Sequence, residues 1–117
     1  MKLITGFAIG LVLAALPLTL WAHAQLVAAS PANDAVLTQA PQNFKLQFSE
    51  PARLTALSLQ KDNEEPHRIG PLSSAPSALW VIAAPTLAPG GYTLNYRVLS
   101  DDSHIVSGSI KFRIREP

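Results

Sequence analysis

The sequence contains no cysteine, and its only methionine is Met1. No disulfide can staple the fold, no thiolate can bind a metal, and once Met1 is lost no thioether remains for a soft ion such as Cu(I). There is no Gly-rich phosphate loop, no nucleophile elbow and no zinc-finger spacing, so no motif supports nucleotide binding, serine-hydrolase chemistry or a cysteine zinc site. Charge is sparse and balanced: apart from Lys2, eight basic residues stand against eight acidic ones. Such a chain shows no basic patch, which argues against nucleic acid and anionic lipid as partners. Helical periodicity, internal repeats and low-complexity tracts are also missing.

What is present begins with a leader. Lys2, the apolar run Ile4–Leu20 and the small residues after it have the form of a secretory signal peptide, assigned to residues 1–22. The run is short for a membrane span and is interrupted by Pro17; an uncleaved anchor is the alternative. The small-x-small rule by itself fits Ala22-His23-Ala24 and favours a cut after Ala24. A cut after Ala22 would instead make His23 the first residue of the mature chain. Residues 23–117 are enough for one domain with a small apolar core.

That domain reads as all-β. Leu26–Ala29 is a short first strand, ended by Ser30-Pro31, and Asn33-Asp34 is turn chemistry. Phe44, Leu46 and Phe48 alternate with polar residues and share a buried face, and Ser49-Glu50-Pro51 ends their strand. Leu57 and Leu59 alternate in the next. A weak edge strand falls around His67–Ile69 in a proline-rich loop. Leu79–Ile82 is a continuous apolar strand. After the Pro89-Gly90-Gly91 turn, Tyr92, Leu94, Tyr96 and Val98 form one face; Ile110, Phe112 and Ile114 form another on the last strand. About seven short strands with turns between them predict an immunoglobulin-like Greek-key β-sandwich or barrel. Leu87 followed by Pro89-Gly90-Gly91-Tyr92 resembles a tyrosine corner.

One stretch concentrates chemistry: Ser100-Asp101-Asp102-Ser103-His104. In extended chain, residues i and i+2 face the same way, so Asp102 and His104 aim at one point, with Ser100 beside them. Asp-x-His alone is a weak signal and also fits a solvated loop. An N-terminal histidine changes its meaning. The α-amine and imidazole of His23 could chelate one metal, and His104 and Asp102 would complete three nitrogens and one oxygen. Such donors suit Cu(II). His67, between Pro66 and Arg68, reads as a surface histidine.

Three segments, in order, resemble the CopC/PcoC/YobA family of periplasmic copper-binding proteins: Ala22-His23-Ala24-Gln25-Leu26 with Ser30-Pro31-Ala32; Phe48-Ser49-Glu50-Pro51; and Leu87 to His104, closing with Gly108-Ser109-Ile110-Lys111-Phe112. The resemblance implies the same sandwich, a cut after Ala22, and one Cu(II) ion per chain held by His23, Asp102 and His104. It places Glu50 near that site, as a group supporting the ligands or a weak ligand itself; taken alone, Glu50 is a strand-end carboxylate. It further implies a monomeric copper carrier or buffer in the periplasm with a CopD-like inner-membrane copper transport partner, and no enzymatic activity. Two departures stand out. Ser103 replaces the family's usual glycine, so a turn with φ > 0 there would be mildly strained. Asn95-Tyr96 replaces a tryptophan-containing stretch and reads as an exchange in the core. Two other classes fit parts of the pattern: a copper histidine-brace enzyme acting oxidatively on polysaccharides, and a metal-free sandwich interaction module.

Overall fold

The computed structural model describes residues 24–116, so the leader and His23 lie outside the described residues. Seven strands and no helix are found among those residues: β1 (Leu26–Ser30), β2 (Ala35–Leu37), β3 (Asn43–Lys61), β4 (His67–Arg68), β5 (Ser77–Ala83), β6 (Gly90–Ser100) and β7 (Ile105–Ile114). They form a curled sheet in the order β1-β3-β6-β7-β2, with β4 and β5 also pairing with β3. All pairings are antiparallel except β2 with β7.

β3 organises the two layers. The sequence predicts two strands separated by a stop at Ser49-Glu50-Pro51; the chain instead runs on as one strand that changes partners there. Its first half pairs with β1 and β5, through Leu26↔Phe48 and Gln47↔Leu79. Its second half pairs with β6 from Ala52↔Ser100 onward. Pro51 falls in the gap between the ladders, where its missing N–H costs no pairing, as is usual for prolines at strand irregularities.

The alternating residues meet between the layers. Phe44, Leu46 and Phe48 from the first half of β3 face Leu94 and Val98 of β6 and Ile110, Phe112 and Ile114 of β7, all buried. Aromatic pairs bridge the layers: Phe44 lies 5.9 Å from Phe112, and Phe48 meets Tyr96 edge-on at 5.8 Å. Tyr96 thus packs against the core, and its burial raises its pKa. It also lies over Gly108, where an added Cβ would come within 2.3 Å of its hydroxyl oxygen. Tyr92 closes one end as a tyrosine corner: its ring stacks on Phe112 at 5.3 Å and its hydroxyl donates to the Ala88 carbonyl at 2.6 Å. Leu79–Ile82 departs from expectation. Trp80 and Ile82 are buried, but Leu79 and Val81 are each 50 % exposed. β5 covers the core with one face only and meets solvent with the other, as antiparallel strands commonly do.

Candidate metal centre

β6 and β7 are joined by the chemistry-bearing hairpin, and its geometry differs from the extended reading. The Ser103 N–H donates to the Ser100 carbonyl (2.9 Å), closing a β-turn, and the Ser100 N–H donates to the His104 carbonyl (2.9 Å). Ser103 takes φ +68°, the left-handed residue that completes a three-residue hairpin loop. The positive φ foreseen at the glycine-like position is therefore real. Asp102 and His104 still meet, but through the turn and not by strand alternation: His104 Nδ1 lies 2.8 Å from Asp102 Oδ2. Asp101 and Ser103 line a separate hollow with Arg53 and Pro76.

Asp102 is the electrostatic centre of this group. Its Oδ1 accepts from the Ser100 hydroxyl and, at 3.4 Å, from the His104 N–H. The Ser100 hydroxyl, then the His104 side chain, lower its pKa to about 2. Asp102 is thus ionised at neutral pH and can only accept. It follows that the proton between Oδ2 and Nδ1 sits on Nδ1, so in neutral His104 the lone pair is on Nε2, across the ring from Asp102. The His104 side chain is 61 % exposed.

A second contact places the start of the chain at the same end. The Gln25 N–H donates to Ser49 Oγ (3.0 Å), and the Ser49 N–H donates to the Gln25 carbonyl (2.7 Å). Ala24 is fully buried. Sequence reasoning did not find this clamp; the Phe-Ser-Glu-Pro segment that carries it was the available signal. Ser49 is three residues before Ala52, which pairs with Ser100. Glu50 is half-buried on β3, two residues before Ala52, where the pairing with β6 begins. Among the described residues no three of His, Cys, Asp and Glu gather as a metal cluster, so Glu50 does not make a third with Asp102 and His104. His67 lies elsewhere. It is exposed on β4 opposite Leu59, seven residues along β3 from Ala52, which at about 3.3 Å per residue is over ~20 Å away.

An ionised carboxylate hydrogen-bonded to an imidazole, on the hairpin that joins the last two strands, defines the class of domain: a small β-sandwich carrying a paired Asp–His site. Comparison with known proteins makes the class specific. Residues 26–115 match the CopC domain family. The chain is 34 % identical over 106 residues to copper resistance protein C of Xanthomonas campestris pv. juglandis, covering 81 % of this chain and 82 % of that protein. It is 31 % identical over 102 residues to protein YobA of Escherichia coli K12, covering 83 % and 82 %. Among solved structures, CopC from Methylosinus trichosporium OB3b is similar with a TM-score of 0.69 and 28 % identity, over 80 % of this chain and 95 % of that one. PcoC, a methionine-rich copper resistance protein from Escherichia coli, is similar with a TM-score of 0.56 and 27 % identity, over 80 % and 100 %. The chain belongs to the CopC family of copper resistance proteins.

Proposed function

We propose that this chain is exported to the periplasm through removal of residues 1–22 and there carries or buffers one Cu(II) ion, held by the α-amine and imidazole of His23, by His104 and by Asp102. The observation that carries the reading is the Asp102–His104 pair, formed at the end of the sandwich where Gln25 is clamped to Ser49. The part of His23 in this reading comes from the family resemblance, which pairs an N-terminal histidine with the Asp-x-His hairpin. Asp102 holds Nδ1 of His104, which leaves Nε2 as the atom that would hold the metal; on the family resemblance, Glu50 would support the ligands.

Hard nitrogen and oxygen donors favour the oxidised ion. PcoC is described as methionine-rich, whereas this chain has no methionine beyond Met1 and no cysteine. Reduction to Cu(I), with ascorbate as the electron donor, should accordingly weaken binding, and a monomeric carrier of this kind would exchange copper with a CopD-like inner-membrane copper transporter. The binding role is favoured over a polysaccharide-oxidising enzyme because Trp80, Tyr92, Phe44, Phe48 and Phe112 are all buried in the core and form no flat aromatic face for a glycan.

The test is a Cu(II) competition titration of the protein beginning at His23, alongside His104→Ala and His67→Ala. Trp80 is the only tryptophan after Trp21, and its indole N–H donates to the carbonyls of Ala52 and Ser77, next to the Ser100 row. Its quenching by bound Cu(II) gives an independent readout. One ion per chain, lost in His104→Ala and kept in His67→Ala, is expected. Equal losses in the two variants would refute the ligand assignment.

A further inference from the structure

Ser100 is the only polar residue buried among the described residues, 4 % exposed. A buried hydroxyl needs a partner, because water cannot replace one. Two acceptors lie in reach: Asp102 Oδ1 and, at 3.1 Å, the His104 carbonyl. A serine hydroxyl has one proton to give, and a charged carboxylate is the stronger acceptor. The His104 carbonyl is already served by the Ser100 N–H. The hydroxyl proton therefore belongs to Asp102. This builds a directed chain: Ser100 O–H to Oδ1, and His104 Nδ1–H to Oδ2. Its anchored end is a core position on β6, paired with Ala52 of β3; its other end is a side chain standing in solvent.

We propose that Ser100 is a positioning residue of the metal centre, whose hydroxyl fixes the Asp102 carboxylate and thereby selects the His104 tautomer that presents Nε2 to a metal. Without the hydroxyl, Oδ1 loses its closest donor. Oδ1 then keeps only the longer bond from the His104 N–H, so the carboxylate is held less firmly and its grip on the Nδ1–H tautomer of His104 loosens. The metal half of this inference rests on the function proposed above; the tautomer half stands on the metal-free protein alone. A hydroxyl that merely stabilised the hairpin would change melting without changing the tautomer.

The experiment compares the protein beginning at His23 with Ser100→Ala, Ser100→Thr and, as a control at the opposite end of β6, Tyr92→Phe. Two quantities are read: the His104 tautomer in the metal-free protein, from long-range 15N–1H NMR correlations, and Cu(II) affinity by competition. The unaltered protein is expected to hold a single Nδ1–H tautomer. Ser100→Ala should give a mixture and weaken Cu(II) by about 10- to 100-fold, the usual cost of removing a group that orients a metal ligand. Ser100→Thr, which keeps the hydroxyl, should preserve both properties, and Tyr92→Phe should lower stability alone. An unchanged tautomer in Ser100→Ala, or equal losses in the Ala and Thr variants, would overturn the proposal. If the unaltered protein fails to bind Cu(II), the copper reading falls, and the tautomer comparison still decides the role of Ser100.

Discussion

The two ends of β6 are built on opposite principles. At Gly90–Tyr92 the strand enters through a corner whose polar demand is met internally: the Tyr92 hydroxyl bonds the Ala88 carbonyl and its ring stacks on Phe112. At Ser100 the strand leaves by burying a hydroxyl that is directed outward, to a carboxylate and then to an exposed histidine. The first end uses its hydrogen bond to close the core. The second uses the core to aim side chains into solvent. Stability and chemistry thus separate along one strand, eight residues or about 27 Å apart. Substitutions at the two ends should therefore affect different measurements.

The largest effect is expected from Asp102→Asn. It removes the charge and one of the two accepting oxygens that together orient His104, and it should weaken Cu(II) by at least about tenfold, the lower bound for losing an orienting partner. Competition titration measures it, and an unchanged affinity would erase the contrast between the ends. The same variant sharpens the pH behaviour. The Asp102 pKa of about 2 lies below the roughly 3.9 of an unfolded aspartate, so its carboxylate favours the folded state above about pH 4. That contribution fades as the pH falls from about 4 towards 2. The gap in urea midpoint between Asp102→Asn and the unaltered protein should shrink across this window. Copper, by contrast, should be released on acidification below about pH 5, as protons compete for the imidazoles and the amine.

Next in size is Tyr92→Phe, which leaves the Ala88 carbonyl without its donor and should cost about 1–3 kcal/mol in urea denaturation. Cu(II) affinity should not change. A copper defect in this variant would show that the two ends are coupled after all.

The smallest effect belongs to Ser103→Gly. Serine at φ +68° is held in a region that costs about 1–2 kcal/mol for a residue with a Cβ, partly offset by the flexibility glycine adds to the unfolded chain. A net gain of roughly 0.5–1 kcal/mol in thermal unfolding is expected. A loss would mean that the hairpin depends on the serine side chain itself.

Much of this was legible in the sequence because alternation is a direct record of burial. Phe44, Leu46, Phe48, Leu94, Val98, Ile110, Phe112 and Ile114 are buried as their spacing requires. The tyrosine corner was readable from Leu87 and Pro89-Gly90-Gly91-Tyr92. Other features were not. Ser49-Glu50-Pro51 has the composition of a strand end, yet a strand passing between two ladders can carry proline where neither ladder needs its N–H. Leu79-Trp80-Val81-Ile82 is apolar throughout, and composition could not show that only one of its faces meets the core. The positive φ at Ser103 was legible, but that Asp102 and His104 would meet through this turn and not by strand alternation was not. The weight of Ser100 was equally hidden, since nothing in a serine-rich chain distinguishes the one serine that is buried among the described residues.

The central claim is that the copper site is completed by the amine of His23. The decisive measurement is a Cu(II) competition titration on two purified proteins, one beginning at His23 and one carrying a single alanine ahead of it, after intact mass has established where the exported chain begins. A mature mass starting at His23, with tight binding that collapses when the alanine locks the amine into a peptide bond, is the predicted result. An exported chain starting at Gln25, or equal affinity in the two proteins, would contradict the account.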